Sequence, residues 1–292
     1  MVFKKEFIAY LKNEKRYSHH TIISYENDLN QFHKFSVESG SQNEKIDSKL
    51  VRLWVVSLLE SDLSARTIHR KLSSLRSYCN YLIKQGELNL NPLDRVLKPK
   101  LSKRIPAFIE EEKLNHFLED YDFGNDFTGL RNKLIIELLY QTGMRRGELM
   151  DLEPGSLSVS DKNVRVLGKR GKERIIPVGE QIMELWQMYL KKRQESFSDA
   201  GNKLFLTVSN KPVYPRLIYK VVNDYLKLVT TLEKKSPHVL RHTFATHLLN
   251  KGADLNAIKE LLGHSSLGTT QIYTHNTFEK LREVYNKAHP RA

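Results

Sequence analysis

Apolar residues in the first third of the chain recur with the period of an α-helix. In "SHHTIISYENDLNQFHKFS", Ile22, Tyr25, Leu29, Phe32 and Phe35 fall at spacings of three and four, with Ser18 or Thr21 placed to cap the start. In "SARTIHRKLSSLRSYCNYLIKQG", Ile68, Leu72, Leu75, Cys79 and Leu82 form one stripe, Ser64 precedes it as a cap, and Gly86 follows its end. Arg66 and Arg70 lie one turn apart on a different face, with Lys71 and Arg76 nearby. The pattern breaks at "NPLDRVLKPKLSKRIP", positions 91–106, where three prolines remove donors and block helix continuation.

Beyond the break, "NKLIIELLYQTGMRRGELMDL" starts as a hydrophobic helix and is interrupted at Gly143. "NVRVLGKRGKERIIPVG" has two β-branched runs around positions 168–171 and predicts a hairpin. Helical periodicity returns in "HVLRHTFATHLLNKG" and "LNAIKELLGH". The expected fold is mainly α. A helical domain spans residues 1–97, a basic linker spans 98–106, and a mixed, mostly helical domain with a small antiparallel sheet spans 107–292. No internal repeat or low-complexity tract interrupts this plan.

Composition changes the picture in one respect. A hydrophobic share of 40% is that of a globular protein, but 47 Lys+Arg stand against 34 Asp+Glu, a net charge of +13. Such an excess suits a polyanion, either nucleic acid or an anionic membrane surface. No uninterrupted apolar run approaches the roughly 20 residues of a membrane span. Charges break the apolar residues of "MVFKKEFIAYLKNEKRYS", so no signal peptide is visible. The single cysteine, Cys79, excludes an internal disulfide framework and fits a reducing compartment. A soluble, cytoplasmic protein with a polyanionic partner is the expectation. Arg66, Arg70, Lys98, Lys100, Lys103 and Arg104 are its candidate phosphate contacts, the last four as a strap along the backbone.

Candidate chemistry gathers in the second domain. It comprises Arg145 in "TGMRRGEL", Lys169 at the hairpin tip, His238 and Arg241 in "HVLRH", His264 in "LGHSS" and Tyr273 in "IYTH". Taken singly, each reads as a solvated charge or a packing residue. Together they suit phosphoryl transfer. Arginine's planar fork matches the non-bridging oxygens of a phosphodiester under attack. A tyrosine with pKa near ~10 needs nearby cations and a proton acceptor to become a nucleophile at neutral pH. A lysine on a hairpin can protonate the leaving oxygen. His238, His242 and His247 share a helix, but no HExxH arrangement supports zinc hydrolysis, and no GxxxxGK[ST] loop supports ATP binding. Ser265 and Ser266 lack a nucleophile-elbow context.

At these residues a family resemblance is plain. "TGMRRGEL", "GKRGKER", "HVLRHTFATHLL" and "LLGHSSLGTTQIYTH" resemble the active-site motifs of the tyrosine recombinase (phage integrase) family. "SHHTIISYENDLNQF" and "NPLDRVLKPK" resemble that family's SAM-like core-binding domain and linker, and "LREVYNKAHPR" is similar to the C-terminus of bacterial Xer-type members. The resemblance implies that Tyr273 attacks one strand of duplex DNA, leaving a 3′-phosphotyrosine and a free 5′-hydroxyl. Arg145 and Arg241 would clamp the scissile phosphate with His264 assisting, His238 would handle the nucleophile's proton, and Lys169 would protonate the leaving oxygen. Arg170 stands where many relatives have glycine, which leaves Lys172 as a second candidate acid, and Arg146 neighbours the first arginine.

The bond energy stays in the covalent link, so the resemblance implies no cofactor, neither ATP nor metal. It further implies a homo- or heterotetramer on a specific DNA site, a C-terminal tail exchanged between subunits through Phe278, Leu281, Val284 and Tyr285, and, by analogy, a septal DNA translocase as partner. Resolution of circular chromosome dimers is the expected role. Integration of a mobile element, a type IB topoisomerase and a non-catalytic DNA-binding protein are the alternatives.

Overall fold

Ser18 and Ser64 open two long helices by the same device, each side chain accepting a hydrogen bond from the backbone N–H three residues on (3.3 Å in both). The computed structural model describes residues 4–40, 46–101, 107–168, 173–263 and 275–292. It divides into two units, Met1–Arg104 and Ile105–Ala292, each with its own apolar core.

The first unit holds α1 (Lys4–Asn13), α2 (His19–Glu38), α3 (Ser48–Glu60) and α4 (Ala65–Lys84). Leu29 and Phe32 of α2 and the whole stripe from Ile68 to Leu82 of α4 are buried, while Ile22, Tyr25 and Phe35 pack half-buried at the margin. Cys79 is a core residue, and burial, opposed weakly by Arg76, pushes its thiol up to about 12. Asp28 interrupts the apolar face of α2 at 1% exposure. It accepts from Ser74 Oγ (2.8 Å) and Lys71 Nζ (3.1 Å) and is also paired with the Arg70 guanidinium. Lys71, expected beside an exposed basic face, is therefore a buried ion-pair partner, because α2 and α4 pack with these polar residues between them.

The proline-rich segment enters this core before it leaves the unit. Asn91 caps a short 3₁₀ turn, Pro92–Arg95, and Leu93 and Val96 are buried. Arg76 holds the turn through Asp94 and the Leu93 carbonyl (2.9 Å), so it too is engaged. Next, the His69 Nε2–H donates to the Pro99 carbonyl at 2.7 Å, with Lys98 and Lys100 exposed on either side.

The second unit contains α5 (Glu111–Asp120), α6 (Phe127–Thr142), α7 (Arg146–Asp151), α8 (Glu180–Ser196), α9 (Pro215–Val229), α10 (Pro237–Asn250), α11 (Leu255–Leu261) and α12 (His275–Ala288). Among the described residues its sheet has three antiparallel strands in the order β1 (Leu157–Ser158), β2 (Asn163–Leu167), β3 (Glu173–Pro177). The expected hairpin is β2–β3, with Val164 opposite Ile176 and Val166 opposite Arg174. Helix α6 is buried on nearly every side, packed against α8 and α10, and the polar Arg131, Asn132, Glu137 and Gln141 are buried there beside its leucines and isoleucines. It ends at Gly143, whose φ of +58° is the left-handed conformation of a helix C-cap. The fold is thus mainly helical with a small antiparallel sheet, as the hydrophobic pattern predicted.

Leu281 and Tyr285 of α12, expected to dock on a neighbouring subunit, are buried here in the chain's own core. The residues that follow extend this cis packing. Arg291 donates to Glu137 (3.1 Å), Glu119 (3.0 Å) and Gln181 (2.6 Å), and His289 stacks on Tyr285.

Candidate active site

Gly143 sets the geometry. A Cβ at this position would lie 2.5 Å from Phe244 Cδ1 and 2.9 Å from Leu262 Cδ2, so the end of α6, the middle of α10 and the end of α11 meet at close range. Arg241, on the second turn of α10, uses this proximity. Its Nη1 donates to the Gly143 carbonyl (2.5 Å) and its Nη2 to the Leu262 carbonyl (2.7 Å).

Two residues after Gly143, Arg145 is the N-cap of α7. Glu148, at the third helical position, accepts from the Arg145 backbone N–H (2.6 Å) and from Arg145 Nη1 (2.9 Å), fixing the side chain over the helix start. Arg145 Nη2 then reaches the Gly263 carbonyl at 3.1 Å. Arg146, its neighbour, is exposed at the first position of α7. Of the adjacent pair, Arg145 is thus the residue that converges with Arg241.

A third arginine joins them. Arg174 of β3 donates to both oxygens of Glu148 (2.7 and 2.8 Å) and, through Nε, to the Leu261 carbonyl (3.0 Å). Three arginines therefore hold three consecutive carbonyls, 261 to 263. These lie at the C-terminal end of α11, where helical carbonyls lack intrahelical partners and the helix dipole favours cations. The next residue in the chain is His264.

One carboxylate among three guanidiniums leaves an excess of positive charge. Burial alone would raise the Glu148 carboxyl, but the hydrogen bonds and charge of Arg174, with the hydrogen bonds of Arg145, outweigh it and hold Glu148 below the ordinary range. Burial first, and then repulsion from Arg145, lowers Arg241 to about 10, which leaves it charged at neutral pH. Such a cluster suits an anionic group with several oxygens.

His238 lies three residues before Arg241 on α10 and is exposed beside it. By contrast, His247 is buried. Its Nε2–H donates to the Ile109 carbonyl (2.8 Å), so its Nδ1 accepts from the Tyr140 hydroxyl (3.0 Å), and burial lowers its pKa. Among the described residues no three His, Cys, Asp or Glu side chains gather as a metal site, and no helix is long and apolar enough to cross a membrane. Lys169 and its rival Lys172, His264 and Tyr273 lie outside the described residues, as do Lys103 and Arg104 of the strap. Of the other expected phosphate contacts, Arg66 is exposed on α4, Arg70 is half-exposed and bound to Asp28, and Lys98 and Lys100 are exposed.

Glu148 and Arg174 were missed by sequence reasoning, though signals existed. Glu148 stands three residues after the N-cap, a capping position, and Arg174 shares strand parity with the buried Ile176. A charge at core parity implies a buried partner.

A phage integrase family model matches residues 107–280, and the phage integrase N-terminal SAM-like domain matches residues 5–86. Curated relatives include the tyrosine recombinase XerC of Chlorobaculum tepidum, 37% identical over 315 residues that cover 98% of this chain and 94% of the relative. The tyrosine recombinase XerC of Staphylococcus saprophyticus is 38% identical over 290 residues, covering 99% and 97%. Among solved structures, the XerH site-specific recombinase bound to a palindromic difH substrate matches with a TM-score of 0.72 at 25% identity, over 96% of this chain and 83% of that one. The Tn1549 transposon integrase in complex with transposon right end DNA shares the fold, with a TM-score of 0.70 at 20% identity over 97% and 99%.

Proposed function

The chain belongs to the phage integrase family and is a tyrosine site-specific recombinase similar to XerC, and from that premise we propose that it cuts and rejoins duplex DNA through Tyr273. In this reading the Tyr273 oxygen attacks the scissile phosphorus as the bond to the 5′-oxygen breaks. His238 takes the tyrosine proton, and Lys169 supplies one to the departing 5′-oxygen. Arg145 and Arg241, assisted by His264, hold the non-bridging oxygens while negative charge grows on them. Attack by the 5′-hydroxyl of another strand reverses the step and releases Tyr273.

The observation that carries this reading is the convergence of Arg145 and Arg241 on adjacent carbonyls at the turn leading into His264. Full-length similarity to XerC supports a cytoplasmic role in resolving chromosome dimers, as a homo- or heterotetramer on a specific site, with a septal translocase as partner. Arg66, Arg70, Lys98, Lys100, Lys103 and Arg104 would contact the phosphate backbone of the arms.

Sequencing DNA trapped covalently on the protein in its source cell identifies the site and separates chromosomal resolution from element integration. A nicked duplex of that site then tests the chemistry, because the short 5′-hydroxyl fragment diffuses away and the adduct cannot reverse. Wild type should accumulate a denaturation-resistant adduct on the Tyr273 peptide, and chelator should not slow it. Tyr273→Phe should bind the DNA and form none. An adduct in that variant would overturn the assignment.

A further inference from the structure

We propose that Arg174 is the positioning residue of this site, orienting Arg145 through Glu148 and leaving its charge available to phosphate. The inference rests on the proposed recombinase chemistry and concerns a residue that need not touch DNA.

Arg174 is 5% exposed, as is Glu148. It occupies a strand position whose parity partner, Ile176, is core, so an apolar side chain would fit the pattern there. Replacing a buried ion pair by apolar residues is often neutral or stabilising, so stability alone is a weak reason for the charge. Its contacts suggest another reason. Both Glu148 oxygens are shared: Oε1 between Arg174 Nη1 and Arg145 Nη1, and Oε2 between Arg174 Nη2 and the Arg145 backbone N–H. The Arg174 Nε–H is spent on Leu261, and Gly263, at φ +65°, lies against the guanidinium, where a Cβ would meet Nη1 at 3.0 Å.

These contacts do two things. They fix the turn whose next two carbonyls receive Arg241 and Arg145. They also balance Glu148. With Arg174 present, its carboxylate charge is matched by a buried guanidinium, and Arg145 remains a net cation facing the phosphate. Without Arg174, Glu148 would neutralise Arg145 instead. Lysine cannot replace this fork, because a point charge cannot span two carboxylate oxygens and a carbonyl together.

The test compares wild type with Arg174→Lys and Arg174→Met on two nicked duplexes of the trapped site, one with an ordinary scissile phosphate and one with a methylphosphonate. The latter lacks the charged oxygen that Arg145 would hold. On phosphate, both variants should bind DNA like wild type but cleave roughly 10–10²-fold more slowly, the size expected of a misplaced reacting group. On methylphosphonate, the deficit relative to wild type should largely disappear. Adding Arg174→Met to Arg145→Ala should cost little more than Arg145→Ala alone. Equal deficits on both substrates, additive losses, wild-type cleavage by Arg174→Lys, or failure of both variants to fold would each reduce Arg174 to a stability residue. Failure of the underlying chemistry is separately visible, since wild type would then form no Tyr273 adduct.

Discussion

Arg145 and Arg241 donate to adjacent carbonyl oxygens, those of Gly263 and Leu262, at 3.1 and 2.7 Å. In the proposed reaction both guanidiniums would thereby be oriented before the phosphate arrives, which would avoid reorganisation at the moment of reaction. Arg145→Lys and Arg241→Lys should each slow single-turnover cleavage by about 10²–10³-fold, the cost of removing one preorganised donor. DNA affinity, measured by gel shift in parallel, should fall far less. A variant with unchanged cleavage would remove that arginine from the clamp.

Gly143 should not tolerate a side chain. A left-handed alanine costs about 1–2 kcal/mol and forced overpacking about 1–3 kcal/mol more. The atoms that its Cβ would meet belong to Phe244 and Leu262. Gly143→Ala should therefore lower the unfolding free energy by roughly 2–5 kcal/mol in urea titration. Cleavage should suffer as well at temperatures where the variant is folded, because the Gly143 and Leu262 carbonyls both hold Arg241. Wild-type stability in this variant would contradict the packing described.

His289 should make the catalytic unit sensitive to mild acid. Burial, followed by repulsion from His247 and Arg291, lowers its pKa to about 3. An unfolded histidine titrates near ~6.5. The unfolded chain thus binds a proton that the native state refuses, so this contribution is complete above ~6.5 and is lost as pH falls toward 3. The loss should approach about 1.4 kcal/mol per pH unit. Urea midpoints from pH 7.5 to 5.5 should fall less steeply in His289→Phe, which keeps the ring stacked on Tyr285. Parallel curves for variant and wild type would exclude His289 as the group responsible.

Asp28 should prove costly to neutralise. Asp28→Asn leaves Lys71 buried without its countercharge, a loss of about 3–5 kcal/mol when one partner of a buried pair is removed. Hydrogen exchange of α2 and α4 amides should report this as faster local opening. Combining the change with Lys71→Met should recover most of the protection, since no unpaired charge then remains. No recovery in the double variant would mean that Asp28 acts mainly through Arg70 or Ser74.

Helix stripes, their serine caps, the Gly143 stop and the β2–β3 hairpin were legible in the sequence because each depends on spacing within a few residues. Ser18 and Ser64 cap as expected, and Cys79 lies in the core where its stripe put it. The proposed site residues stood out for another reason: phosphoryl transfer would demand particular side chains whatever the fold. Tertiary structure decided which charges have partners. Lys71 lies one residue after Arg70, yet it is buried on Asp28 of another helix, while Arg70 stays half-exposed. Arg145 converges with Arg241 and its neighbour Arg146 is exposed, because Glu148 and the Gly263 carbonyl lie on one side of α7 only. Arg174 reads from sequence as a cation at core parity on a hairpin, and only the approach of α7 and α11 makes Glu148 its counterion. Periodicity reports which face of an element is apolar. It carries no record of which distant carboxylate or carbonyl a charged side chain will meet across the core, and that encounter sets the electrostatics of this site.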